Sequence, residues 1–199
     1  KFLNNPAKRL LIQIITFITF VAILDIKILE TKLSLIDELL TDNIFNYFFV
    51  VFCLLVLING SNFVDGINTL LLSYIIIILL MLLINFSDLI SDINSIKNLT
   101  YVLSIIILFN FFGIVILGDS GSYLLSLYLG LHLIEFSNTN ILISPYFVIL
   151  LLWYPCFELL FSMIRRQIKN KESYNPDTQH LHQLIYKIIT TTNNFKTNF

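Results

Sequence analysis

Long, almost unbroken apolar runs alternate with short polar stretches along this chain. FFVVFCLLVLI (48–58) and LLLSYIIIILLMLLI (70–84) flank the polar stretch NGSNFVDGINTL (59–70). The runs do not alternate apolar and polar residues as half-buried strands do. They are apolar nearly all round, as helices in a bilayer are. Spanning a bilayer takes about 20 apolar residues. On that basis six membrane spans are expected, at about 10–28, 41–58, 69–86, 101–117, 123–136 and 141–164. The predicted fold is all-α, a polytopic helical membrane protein in one membrane domain covering 1–199. The fifth span is short, and its His132 and Glu135 must face protein or the interface. A polar contact between helices accounts for both.

Charge orients this bundle. Lys1, Lys8 and Arg9 precede the first span, and Arg165, Arg166, Lys169 and Lys171 follow the sixth. An even number of spans puts these ends on one side, which the positive-inside rule makes cytoplasmic. The stretches ETKLSLIDELLTD and SDLISDINSIKN are rich in acids and fall outside. Parity then places three polar segments on the cytoplasmic face, read as loops 59–68, 118–122 and 165–185. Reactive groups gathered at one interface suit chemistry at the membrane surface better than conduction across it.

Composition agrees. Of 199 residues, 57% are hydrophobic and 13% charged, against about 25% charged in soluble domains; mean hydropathy is +0.84. The net charge of −1 and the lack of a basic block give no sign of a nucleic-acid partner. Cys53 and Cys156 lie inside apolar runs, where a cysteine acts as a small hydrophobe. The N-terminal stretch has no small-residue cleavage site of the signal-peptide kind.

Each polar segment has a functional and a bland reading. In 59–70, Asn59, Asn62 and Asp65 recur every three residues, so a helix would put Asn62 and Asp65 on one face. Asp65 can bind a divalent cation or take a proton, and Asn68 or Thr69 can cap the next helix. Asn, Asp and Gly are also ordinary turn residues. In GDSGS (118–122), the glycines let backbone approach a ligand, and Ser120 or Ser122 can cap the fifth span. Asp119 is a plausible Mg²⁺ ligand, since that ion takes one or two carboxylates plus substrate phosphates; the alternative is a capped tight turn. In PDTQHLHQL (176–184), His180 and His182 share a face only on an extended segment. No cysteine or further histidine pair supports zinc, so phosphate contact by imidazole is the better functional reading. Arg165 and Arg166 offer fork-shaped donors suited to phosphate, though basic residues after a last span are topology signals in any case.

Taken in order, NGSNFVDGINTL, GDSGS and DTQHLHQL resemble the polyprenyl-phosphate N-acetylhexosamine-1-phosphate transferases, the glycosyltransferase family 4 enzymes that initiate bacterial surface glycans. That family shows Asn-x-x-Asn-x-x-Asp-Gly, Gly-Asp-x-Gly-Ser and His-x-His segments in this order on cytoplasmic loops. YPCFELLFSMIRR (154–166) resembles its approach to the histidine loop.

The resemblance implies transfer of a sugar 1-phosphate from a UDP-N-acetylhexosamine to polyprenyl (undecaprenyl) phosphate, releasing UMP. This would be a first membrane step of cell-wall or lipopolysaccharide (O-antigen) biosynthesis, at the bacterial inner membrane, with the site facing the cytoplasm. Mg²⁺, or Mn²⁺ in its place, is the implied cofactor, held by Asp119 and Asn62. Asp65, Asp119, His180 and His182 are the implied catalytic residues. Asn59, Asn62, Asn68, Arg165 and Arg166 are the implied substrate-binding set, with Asn59 and Gly66 shaping the segment. Glu158, after Pro155 in the sixth span, is expected to be structural or to support the site residues from behind. Oligomeric state is left open, a homodimer included.

Three departures stand out. Asn68 replaces the second acid of the family's Asp-Gly-x-Asp-Gly stretch, and Gln183 replaces a third histidine. The family's Asp-Asp pair, expected before KFLNNPAKRLLIQ, is absent from these residues. The expectation is therefore a chain truncated at both ends relative to the family. Two rival readings remain: a secondary transporter, and an inactive polyprenyl-phosphate-binding remnant.

Overall fold

The computed structural model describes residues 6–140 and 142–168, together with 184, 185 and 188. Among them the regular structure is entirely helical, as expected. The helices are α1 (Pro6–Ile23), α2 (Ser34–Leu40), α3 (Asn43–Val64), α4 (Leu70–Asn85), α5 (Ile93–Phe111), α6 (Gly118–Thr139) and α7 (Pro145–Ile168). A 3-10 turn at Ser87–Leu89 links α4 to α5. Helices α3, α5 and α7 are long and apolar enough to cross a membrane, and α4 is a shorter apolar helix. Side chains such as Ile105, Leu108, Phe111 and Leu150 point outward and are more than half exposed. Apolar surface of this extent is unusual against water and suits a protein solvated by lipid.

Local chemistry sets the helix ends. Pro6 and Pro145 open α1 and α7, where a missing N–H costs nothing. The Asp42 and Asp92 side chains cap α3 and α5 by accepting from the N–H of Phe45 (2.9 Å) and Ser95 (3.2 Å). Helix α1 stops at Ile23, short of the predicted 28. Asp25 there takes a left-handed φ of +49° and accepts from Lys27 Nζ (2.8 Å) and the Tyr47 hydroxyl (2.5 Å). That polar cluster ends the span. The first acidic stretch contains α2, whose Asp37 accepts from the Thr31 N–H and hydroxyl, both at 2.6 Å.

The other boundaries move the opposite way. Helix α3 runs past 58 to Val64, because the Asn59 amide returns a hydrogen bond to the Leu55 carbonyl (2.9 Å). Helix α6 begins at Gly118, so Ser120 and Ser122 lie inside it and do not cap it; Leu117 holds the cap position. Thr69 holds the cap position of α4, but its side chain makes no capping bond. Helix α5 begins at Ile93, well before the predicted 101, because Asp92 starts it. It ends at Phe111, ahead of Gly113 at φ +70°. The segments read as loops at 59–68 and 118–122 are therefore mostly helix ends, and Arg165 and Arg166 form the last turn of α7.

Two apolar clusters hold the bundle. One joins α4, α5 and α6 through Leu71, Leu72, Ile75, Leu79, Leu103, Leu129 and Leu133, with Leu151 and Leu152 of α7 packed against it. The other seats α1 against α3 through Val21, Val50, Val51 and Leu54. At the α3–α7 seam Gly60 faces Pro155 so closely that a Cβ would sit 2.0 Å from the proline carbonyl oxygen. Pro155 has no N–H for the Leu151 carbonyl one turn back. The Tyr74 hydroxyl on α4 donates to that carbonyl instead. Glu158, one turn further on, is buried.

Candidate functional site

The alternating helix directions give the bundle two polar ends. One end gathers the start of α1, the end of α3, the start of α4, the end of α5, the start of α6 and the end of α7. Here the Ser122 hydroxyl on α6 lies 3.0 Å from Asn62 Oδ1 on α3 and 3.0 Å from the Asp119 carbonyl on its own helix. It can donate to one of them at a time. The Asp65 carboxylate, just past the last turn of α3, faces the backbone N–H of Gly118 at the start of α6, which favours its charged form. Gly118 has φ +67°, a turn that glycine makes at no steric cost. Asp119 follows it in the first turn of α6, where a negative charge is favoured.

The two acids sit close enough to repel. Burial, then the Asp119 charge, push the Asp65 carboxyl up to about 6, with the Gly118 N–H opposing. Arg9 at the start of α1 answers Asp119: Nη1 lies 3.0 Å from Oδ2. Both side chains are about half exposed, and such a pair is worth at most about 1 kcal/mol. Its importance is positional, since it puts a guanidinium beside the acids.

The predicted site residues fare differently. Asn62, Asp65 and Asp119 come together. Asn59 turns away along α3 and lies 3.3 Å from Gln13 on α1. Asn68 is exposed in the turn between α3 and α4. Arg166 packs its guanidinium over Phe63, beside Asn62, at 5.9 Å. Arg165 stacks on Phe161 of its own helix at 5.6 Å. His180 and His182 lie outside the described residues, as does the departure at Gln183. Sequence reading gave Arg9 only a topological role and gave Gln13 none; no local pattern pairs Arg9 with an acid far along the chain.

Asn110 was also missed. It is buried near the end of α5. Its Oδ1 accepts from the Thr69 N–H (2.5 Å), and its Nδ2 donates to the Val115 carbonyl (2.8 Å). A lone amide inside the run SIIILFNFF was the available signal, because a polar group at that depth needs a partner.

Among the described residues, no three His, Cys, Asp or Glu side chains converge as a metal cage. A magnesium ion needs fewer protein ligands, since it keeps waters and completes its shell with phosphate oxygens. Asp119 and the Asn62 amide, with Asp65 alongside, fit such an ion; Asp65 is raised first by burial and then by the Asp119 charge, and a cation would offset the second of these.

These features define a polytopic helical membrane protein with an acidic, partly exposed site at one end of its bundle. Residues 4–137 match the family described as glycosyl transferase family 4, and the chain belongs to that family. It is also similar to the undecaprenyl-phosphate alpha-N-acetylglucosaminyl 1-phosphate transferase of Thermotoga maritima, with 33% identity over 75 residues. That stretch covers 38% of this chain and 24% of the relative, so the chain matches about a quarter of that protein's length. No solved structure matches the chain.

Proposed function

We propose that the protein transfers a sugar 1-phosphate, an N-acetylhexosamine 1-phosphate, from a UDP-sugar to undecaprenyl phosphate. A phosphate oxygen of the lipid attacks the β-phosphorus of the nucleotide sugar. The bond from that phosphorus to the bridging oxygen breaks, and UMP leaves. The family and the named relative support the reaction class. The observation that carries the reading is the meeting of Asp65 and Asp119, from separate stretches of chain, at the start of α6 beside Arg9.

In this reading Asp119 and Asn62 would hold Mg²⁺, which when bound supplies neutralisation of the diphosphate charge. Asp65 orients the nucleotide sugar in the same crevice. Arg166, held over Phe63, would contact phosphate, and Arg9 would exchange Asp119 for phosphate when substrate arrives. His180 and His182 are assigned phosphate or sugar contacts by the resemblance. The acceptor comes from the bilayer and the donor from solution, so a site at a helix-end interface suits both. The site end faces the cytoplasm of a bacterial cell, and the product enters surface-glycan synthesis.

The test uses membranes containing the protein, UDP-N-acetylglucosamine, Mg²⁺ and undecaprenyl phosphate, with UMP release as the readout. Asp119→Ala is expected to lower the rate on the order of 100-fold while the helical signal and melting temperature persist. Full release by folded Asp119→Ala would remove the metal role. Lipid-phosphate binding with no UMP release by the unsubstituted protein would favour a binding protein without turnover. Substrate-dependent ion flux without UMP release would favour a carrier.

A further inference from the structure

The two acids reach the site on different segments. Asp65 is on the turn that joins α3 to α4, and Asp119 follows the segment 112–117 that joins α5 to α6. Neither segment is regular, and in 112–117 every residue but Leu117 is exposed. Their relative position has to be fixed by bonds between them. The Gly118 N–H facing Asp65 is one such contact, and the Ser122–Asn62 hydrogen bond, between the adjoining ends of α6 and α3, is another. Both use groups already assigned to the site, which a substrate would disturb.

Asn110 supplies a link that does not. It is 3% exposed, and its amide reaches both segments from a third element, α5. Its oxygen holds the N–H of Thr69, and its nitrogen holds the carbonyl of Val115. Thr69 has a φ of +69°, uncommon for a β-branched residue, so that end of the turn needs a fixed partner. An amide is what the position requires: it has an acceptor and a donor on one planar group. A carboxylate has no donor, and an aliphatic side chain has neither.

We propose that Asn110 is a positioning residue that clamps the α3–α4 turn to the approach to α6, and so sets the distance between Asp65 and Asp119. The clamp stands on its hydrogen bonds; its effect on turnover rests on the transferase reading above.

The test separates the two. With Cys53 and Cys156 replaced by alanine, spin labels are placed at exposed Ile67 and Ile116, one on each clamped segment. A control pair is placed at exposed Glu30 and Asn94, at the opposite end. Pulsed electron paramagnetic resonance on the full chain then reads both distances. Asn110→Leu, which loses both bonds, is expected to shift or broaden the 67–116 distribution and leave the 30–94 distribution unchanged. Asn110→Asp, which keeps only the acceptor, should broaden it less. In the transferase assay both should lower kcat, the leucine variant by about 10- to 100-fold, with KM for the sugar nucleotide near that of the parent and partial recovery in Asn110→Asp. A 67–116 distribution unchanged in both variants overturns the clamp. Loss of the control distance in both overturns a local role. A shifted distribution in a protein whose parent releases no UMP upholds the clamp and rejects the transferase reading.

Discussion

Asp65 is half-buried beside a second carboxylate, a placement that works against the fold. Its pKa is raised to about 6, against an ordinary value near 4. The folded chain therefore holds this proton over a pH range in which the unfolded chain has lost it. Stability falls as pH rises through that range, and the full penalty applies above about 6. Asp65→Asn removes the charge and keeps the shape. In detergent with a chelator present, the variant should melt at a higher temperature than the parent at pH 8, and the gap should close at pH 4. A gap of the same size at both values would mean that the carboxylate charge is not the cause. Sites that bind charged ligands commonly give up stability in this way. Asp65 and Asp119 were legible in the sequence because a charge between apolar runs is conspicuous. Arg9 was legible only as a topology signal, since its pairing with Asp119 is made by the packing of α1 against the bundle.

Helices were legible as elements and less so at their ends. Polar residues were read as marking where a helix stops, whereas here they mark the depth at which the chain meets water. Asn59 satisfies its amide on its own helix, Ser122 reaches across to Asn62, and both helices continue through the polar stretch. What no residue pattern revealed was the contact that brings α3 to α7. At Gly60 any side chain would meet the Pro155 backbone, at 2.0 Å from its oxygen and 2.6 Å from its carbon. A backbone carbonyl cannot rotate out of the way, so the helices would have to part. Gly130 offers a comparison on α6: there a Cβ meets only the ends of Leu57 and Leu54, at 2.9 and 3.0 Å. Gly→Ala inside a helix otherwise gains about 0.5–1 kcal/mol. Gly60→Ala should therefore lower stability by about 1–3 kcal/mol, read as a clear drop in melting temperature. Gly130→Ala should stay near the parent. Equal drops in the two variants would show that helix separation is not what Gly60 prevents.

The whole molecule is a bundle with two unlike ends, and this asymmetry was the most legible feature of all. Parity and charge alone predicted that Asn62, Asp65 and Asp119 would share an end, and they do. The geometry that makes this a site, the ends of α1, α3 and α6 joined through Arg9–Asp119 and Ser122–Asn62, comes from packing that periodicity does not encode. Charge differs between the ends as well. Around the site lie Lys8, Arg9, Arg165 and Arg166. The opposite end carries Asp25, Glu30, Asp37, Glu38, Asp42, Asp88, Asp92 and Glu135 against Lys27, Lys32 and Lys97, with Lys27 paired to Asp25. Basic residues within short loops favour the cytoplasmic side, so the site end should face the cytoplasm, where nucleotide sugars are available. With Cys53 and Cys156 replaced by alanine, single cysteines at Ile67 and Ile116 would report the site end, and those at Glu30 and Asn94 the other. A membrane-impermeant maleimide applied to intact spheroplasts should label positions 30 and 94 at once, and positions 67 and 116 only after permeabilisation. The reverse pattern would put the acids on the outer surface, where a soluble nucleotide donor could not reach them. Labelling of all four from one side would contradict the two-ended bundle itself.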